Sequence, residues 1–149
     1  MTGADPYNLQ RFLEAQEQPF RETNLYQQAL AELRAQAKRS HWMWFIFPQL
    51  AGLGHSPTAQ FFAISGLEEA ATYLAHDVLG PRLTLCTEAL LPARDLSARQ
   101  ILGTPDDLKL RSSMTLFSSL EGAPECFNAV ITAYFEGKSD PRTLALLSQ

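Results

Sequence analysis

The chain has 149 residues, 46% apolar and 10% aromatic, a length that suits one domain and leaves no room for two ordinary ones with separate cores. Sixteen acidic against twelve basic side chains give a formal charge of −4, so the broad basic surface of a nucleic-acid binder is missing. Charged residues are only 19%, below the roughly 25% of soluble domains, and the apolar content is enough to bury a core, which excludes a disordered chain.

Residues Met1 to Pro6 hold no basic run followed by an apolar stretch, so no secretory signal is expected and the chain is placed in the cytoplasm. The longest apolar run, Trp42 to Phe47, is six residues, whereas a membrane-spanning helix needs about 20. Cys86 and Cys126 are 40 residues apart, neither a zinc spacing nor a disulfide framework, and read as buried reduced thiols. His41, His55 and His76 form no i, i+4 pair, so no metal site is expected. The sequence contains no Gly-rich phosphate loop, nucleophile elbow or HExxH motif, and no cofactor is expected.

In chain order, the clearest signals are capping side chains followed by proline: Asp5-Pro6, Ser56-Pro57, Thr104-Pro105 and Asp140-Pro141. An Asp, Ser or Thr oxygen can accept an otherwise unsatisfied backbone N–H, and proline at the first helical position sacrifices no bond, so each pair predicts a helix start. Leu9, Phe12, Leu13 and Gln16 extend the first helix to about Gln16, before Pro19. Tyr26, Ala29, Leu30, Leu33 and Ala37 form one stripe of a helix over Asn24 to Lys38, with Gln27, Glu32, Arg34 and Gln36 on its polar side. Trp42 to Phe47 is too short for periodicity to separate helix from strand, and helix is favoured because no second strand is available to pair.

Ser65 with Glu68 resembles a capping box opening a helix to about His76. Another helix is predicted from about Pro81 to Leu91, closed by Pro92, and Ser97 caps a short turn ending at Gly103. Thr104, Pro105 and Asp107 open a helix to about Leu120, Pro124 opens one stopped by Gly137, and a last short helix follows Asp140. No stretch alternates with period two beside a hairpin turn. The prediction is therefore an all-α fold: a compact single-domain array of about seven to eight helices spanning residues 1–149.

Three segments could carry chemistry. Lys38 to Gln49 sets Lys38, Arg39, Ser40 and His41 against Trp42, Trp44, Phe45 and Phe47. Aromatic faces can stack a planar ring while cations hold phosphate, which suits a nucleotide, although a bulky packed helix explains the same composition. Pro105 to Phe117 mixes Asp106, Asp107, Lys109, Ser112, Ser113 and Thr115, with Lys109 and Ser113 at i, i+4. A Ser-Lys couple or a positioned carboxylate can serve catalysis, and a dipole-favoured acidic first turn with small packing residues accounts for it equally. Gly80 before a helix start, with Arg82 beside it, could expose N–H groups to an anion, or be an ordinary turn.

The blocks Asp5 to Phe12, Ser40 to Gln49, Ala63-Ile64-Ser65, Leu79-Gly80-Pro81-Arg82-Leu83 and Asp107 to Phe117 closely resemble signature blocks of the bacterial DUF1810 family, over roughly residues 5 to 147. The resemblance implies a mainly α-helical single domain and brings no established activity. It marks Arg11, Lys38, Ser40, His41, Gln49, Arg82, Asp107, Lys109, Ser112, Ser113 and Thr115 as candidate functional positions. The expectation is one pocket in which the ring-rich and hydroxyl-rich segments meet. Trp42 or Trp44 would line it, with Lys38, Arg82 and Lys109 at the rim and Ser40, Gln49, Ser112, Ser113 and Thr115 as further ligand contacts. It would bind an anionic nucleotide or ADP-ribose-type molecule. If the chain is a hydrolase of glycosidic or phosphoester bonds, His41 or Asp107 is the base and Lys109 or Arg82 stabilises developing charge. The alternative is a non-catalytic protein-interaction or homodimerisation module with exposed tryptophans.

Overall fold

The structure, a computed structural model, describes residues 4–92 and 95–149; Met1 to Gly3, part of the terminal stretch read for a secretory signal, lie outside the described residues. The elements are α1 (Gln10–Gln16), β1 (Pro19–Phe20), β2 (Thr23–Asn24), α2 (Leu25–Arg34), α3 (Met43–Ile46), α4 (Pro57–Phe61), α5 (Leu67–Ala75), α6 (Leu79–Glu88), α7 (Ala98–Leu102), α8 (Asp106–Ser118), α9 (Glu125–Phe135) and α10 (Pro141–Leu147). The mostly helical expectation holds, but the described residues form ten helices rather than seven to eight, because α3, α4 and α7 each close a turn of their own. Such short helices cannot persist alone and are held by packing and caps.

The capping logic succeeds where the side chain reaches. Asn24, Ser56, Ser97 and Asp140 each accept from the backbone N–H three residues on, and Ser97 with Gln100 completes a capping box. Asp5 instead accepts from Leu9 and Gln10, one and two residues beyond the expected Asn8, which turns left-handed at φ 53°, so α1 starts at Gln10. Elsewhere competing groups replace the expected cap. The Ser65 N–H donates to Glu69, so Ser65 with Glu68 forms no capping box. At α8 the Asp107 N–H donates to the Gly103 carbonyl and Thr104 caps nothing. Helix α6 begins at Leu79 because His76 Nδ1 accepts from both Val78 and Leu79 N–H, and Pro81 then sits where no intrahelical N–H bond is needed.

The absence of strands was wrong in detail. Pro19 to Asn24 form a two-residue antiparallel pair, with Pro19 opposite Asn24 and Phe20 opposite Thr23. Arg21, first residue of its turn, has φ 55°, a left-handed conformation that costs a non-glycine residue about 1 kcal/mol. Leu50 also bridges Ile64 in parallel fashion. Helix α2 stops at Arg34, short of Lys38, with Gln36 at φ 61° ending the turn.

The apolar side chains form one connected core, at whose centre runs α8: every residue from Ser112 to Phe117 is buried. A helix enclosed on all sides needs partners all round, and α5, α7, α9 and α10 supply them. Aromatic rings join the helices in a chain, Phe62 to Phe12 at 5.6 Å, Phe12 to Tyr73 at 5.0 Å, Tyr73 to Phe117 at 5.6 Å and Phe117 to Phe127 at 5.7 Å. Each such pair adds about 0.5–1.5 kcal/mol beyond area burial. Cys86 and Cys126 are buried free thiols, pushed up by burial to about 12 and about 11. Among the described residues no helix is long and apolar enough to cross a membrane.

Helices α5 and α6 meet at Gly80, where an added Cβ would stand 2.0 Å from the Leu74 carbonyl oxygen. Gly80→Ala should therefore cost about 3 kcal/mol or more, at the severe end of overpacking. At Gly66 nothing lies within 4 Å, and Gly66→Ala should stay within about 1 kcal/mol. Urea unfolding of the two variants side by side checks the contrast.

Candidate functional site

The segment between α2 and α3 is organised by one buried carboxylate. Glu32, assigned to the polar face of α2 by spacing, is only 4% exposed because the following chain folds over it. Its Oε1 accepts from Arg39 N–H at 2.8 Å, Ser40 N–H at 2.9 Å and Trp42 Nε1 at 2.9 Å. Its Oε2 accepts from Gln28 Nε2 at 2.8 Å and the Ser40 hydroxyl at 2.6 Å. Burial alone would raise its pKa, but hydrogen bonds from Ser40, Arg39 and Gln28 outweigh burial and hold it at about 2.

This arrangement delivers the two predicted segments to each other. Lys38 donates to the Ser40 carbonyl at 2.7 Å, pairs with Asp106 at 3.0 Å and lies 5.0 Å from the Trp42 ring centre. Lys109 approaches the other Asp106 oxygen at 3.6 Å and stands 4.9 Å from the ring centre of Trp44. The ring-rich and hydroxyl-rich stretches are thus neighbours. The tryptophans, however, are already engaged: Trp42 is wholly buried and the Trp44 ring carries the Lys109 ammonium.

Beside this seam, Gln49, Leu53 and Gly54 face Lys109, Arg111, Ser112 and the start of α10 across a cleft of about 280 Å³. The Gln49 wall is fixed because its carbonyl accepts from Ile64 N–H and Ala51 N–H donates to the Ile64 carbonyl, both at 2.8 Å. Arg111 donates to the Lys138 and Ser139 carbonyls at 2.8 and 2.9 Å. The Arg142 side chain makes no hydrogen bond or ion pair among the described residues, and it also lines the cleft. Asp140, the one carboxylate lining it among the described residues, accepts from the hydroxyls of Thr143 at 2.6 Å and Ser112 at 2.9 Å. Burial opposes its charge, yet the bonds from Thr143 and Ser112 keep its pKa below the ordinary value.

The other candidates fall elsewhere. Ser113 and Thr115 are buried; Thr115 donates to Arg111 O and accepts from Asp140 N–H, both at 2.8 Å, pinning α10 to α8, while the enclosed Ser113 hydroxyl has no partner among the described residues. Asp107 also buries one unpartnered oxygen and lies outside the residues lining the cleft. Ser40 and His41 line a different hollow. Arg82 is not at the rim: it binds Glu17, donates to Gln16 at 3.1 Å and covers the Tyr26 ring at 4.4 Å. No anion nest forms at Gly80, which is inside α6, its N–H donating to the His76 carbonyl. Arg11 pairs with Glu69 at 2.8 Å and donates to the Phe61 and Ala63 carbonyls, a structural tie. Sequence reasoning missed Arg111 and Arg142 as cleft residues, although the Asp140-Pro141 cap already placed Arg142 in the first turn of a helix.

Glu32→Gln keeps the shape but replaces one acceptor oxygen with an NH2 group, a donor facing other donors. At neutral pH the variant should lose about 3 kcal/mol, the equivalent of a carboxyl moved from 4.5 to about 2. A depressed folded-state pKa contributes fully above the unfolded value and fades as pH falls, so the gap in urea unfolding should narrow between about pH 5 and 2. A gap unchanged across that window contradicts the assignment.

The chain belongs to the DUF1810 family, whose model, described as a protein of unknown function, matches residues 6–147. It is similar to the crystal structure of the conserved hypothetical protein Rv1873 from Mycobacterium tuberculosis. The two share 50% identity and a TM-score of 0.91, over 97% of this chain and 99% of that one. Comparison with curated proteins gives no match.

Proposed function

We propose that the protein binds a small anionic molecule, head group first, in the cleft between Gln49 and Arg142. The supporting observation is the local sign of charge: Lys109, Arg111 and Arg142 line one opening of a chain whose net charge is −4, and among the described residues its only lining carboxylate, Asp140, is held by Ser112 and Thr143. A concave opening concentrates that positive potential, and guanidinium groups match phosphate or carboxylate oxygens. Phosphate is the head group that nucleotides and ADP-ribose would present.

Size sharpens the reading. A cleft of about 280 Å³ lies just under the range of about 300–1,000 Å³ for drug-sized ligand sites, so it would hold a phosphate-bearing head and leave a larger molecule's remainder outside. A base would not stack on Trp44 without displacing Lys109. The proposal is one of binding rather than bond cleavage, since the candidate bases His41 and Asp107 do not line the cleft with Lys109. Docking through exposed tryptophans is less well supported, because Trp42 is fully enclosed.

Thermal shift with inorganic phosphate, AMP, ADP and ADP-ribose tests this; a ligand at 100 times its dissociation constant adds about 2.7 kcal/mol. At least one phosphate probe should raise the midpoint. Arg142→Ala should weaken that probe about tenfold or more, the worth of one charge-assisted hydrogen bond, without lowering the ligand-free midpoint. No shift with any probe removes the reading.

A further inference from the structure

A second opening, of about 540 Å³, lies between the β1–β2 hairpin, α2 and the strap at residues 39–41. From its walls we infer a distinct binding site for an aromatic anion, a flat apolar ring carrying a phosphate or carboxylate. The inference does not rest on the reading of the cleft.

The charged half comes from Arg21 and Arg39. Both are exposed, and neither guanidinium makes a hydrogen bond or ion pair among the described residues, although both line the hollow. Their backbones are nevertheless fixed. The Arg39 N–H donates to Glu32 at 2.8 Å, and Arg21 sits at φ 55° in a two-residue turn where glycine is the unstrained choice. Two guanidiniums carried on fixed backbones at one opening, with free donors, are suited to a forked oxyanion.

Glu32 lies in the same hollow, and its state decides the sign of the ligand. Five donors already occupy its two oxygens, more than the roughly four lone-pair directions of a carboxylate, so it has no capacity left to hold a cation. The unspent charge facing the opening is positive.

The apolar half is Phe20 and Leu25, each half-buried against the hollow, with the Arg21 guanidinium 5.5 Å from the Phe20 ring centre. A ligand ring laid on Phe20 places its head within the reach of the arginines, and the volume falls inside the range of about 300–1,000 Å³ for small-molecule sites. A bare inorganic ion would leave that wall wet.

The test is an NMR titration of the full chain with phenyl phosphate, benzoate and inorganic phosphate. Phenyl phosphate should shift the backbone signals of Phe20, Arg39 and His41 saturably, and inorganic phosphate should bind there at least tenfold more weakly. Comparable binding of benzoate identifies a carboxylate as an equal head group, whereas its failure restricts the site to phosphate. Arg39→Ala should weaken phenyl phosphate about tenfold, Arg39→Lys should recover part of the loss, and Arg142→Ala in the cleft should leave it unchanged. Shifts no stronger for phenyl phosphate than for inorganic phosphate, indifference to Arg39→Ala, or loss with Arg142→Ala would each overturn the site. Arg39 is exposed and its N–H bond to Glu32 survives substitution, so the variants should unfold at the parent's midpoint, which a melt of each checks.

Discussion

A carboxylate taken out of water is costly unless donors surround it, and the geometry around Glu32 meets that condition from four residues at once. Three of the donors, Arg39, Ser40 and Trp42, belong to the chain that leaves α2 and must cross to α3. Their bonds define its path. With that path fixed, Trp42 enters the core and Lys38 reaches Asp106, so the N-terminal turn of α8 is tied to a segment far away in sequence. The hollow takes one wall directly from this crossing, through Arg39, Ser40 and His41.

Much of the helical framework could be read from residue chemistry alone. Ser56, Ser97 and Asp140 cap as their hydroxyl or carboxylate oxygens predict, and the 3, 4, 7 spacing of Phe127, Val130, Ile131 and Tyr134 marks α9. The missed starts of α5, α6 and α8 share a cause: another group supplied the hydrogen bond. Glu69 took the Ser65 N–H, the Gly103 carbonyl took that of Asp107, and an imidazole started α6 early. The candidate site was legible as two stretches that meet, through Lys38 with Asp106 and Lys109 with Trp44. Which atoms remained free after meeting was not. Glu32 looked like a solvated helix residue and Arg82 like a rim cation, because spacing along one helix carries no information about partners from other segments.

The same distinction governs charge. Composition describes an acidic chain, but the acids are unequal: Glu32, Glu69 and Asp140 are spent in internal hydrogen bonds, and Asp106 lies against two lysines. Arg21, Arg39 and Arg142 have no such obligations among the described residues. The surface facing each opening is thus opposite in sign to the whole molecule, a result of pairing rather than of abundance.

Helix α8 has one further implication. Lys109, Arg111 and Ser112, on one wall of the cleft, sit on the helix whose next residues, Ser113 to Phe117, are enclosed by the rest of the protein. That wall cannot tilt or slide without tearing the interior. For a guest of the kind proposed, the ordering entropy of that backbone wall was spent when the polypeptide folded, and the cost left to binding would fall on side chains such as Arg142.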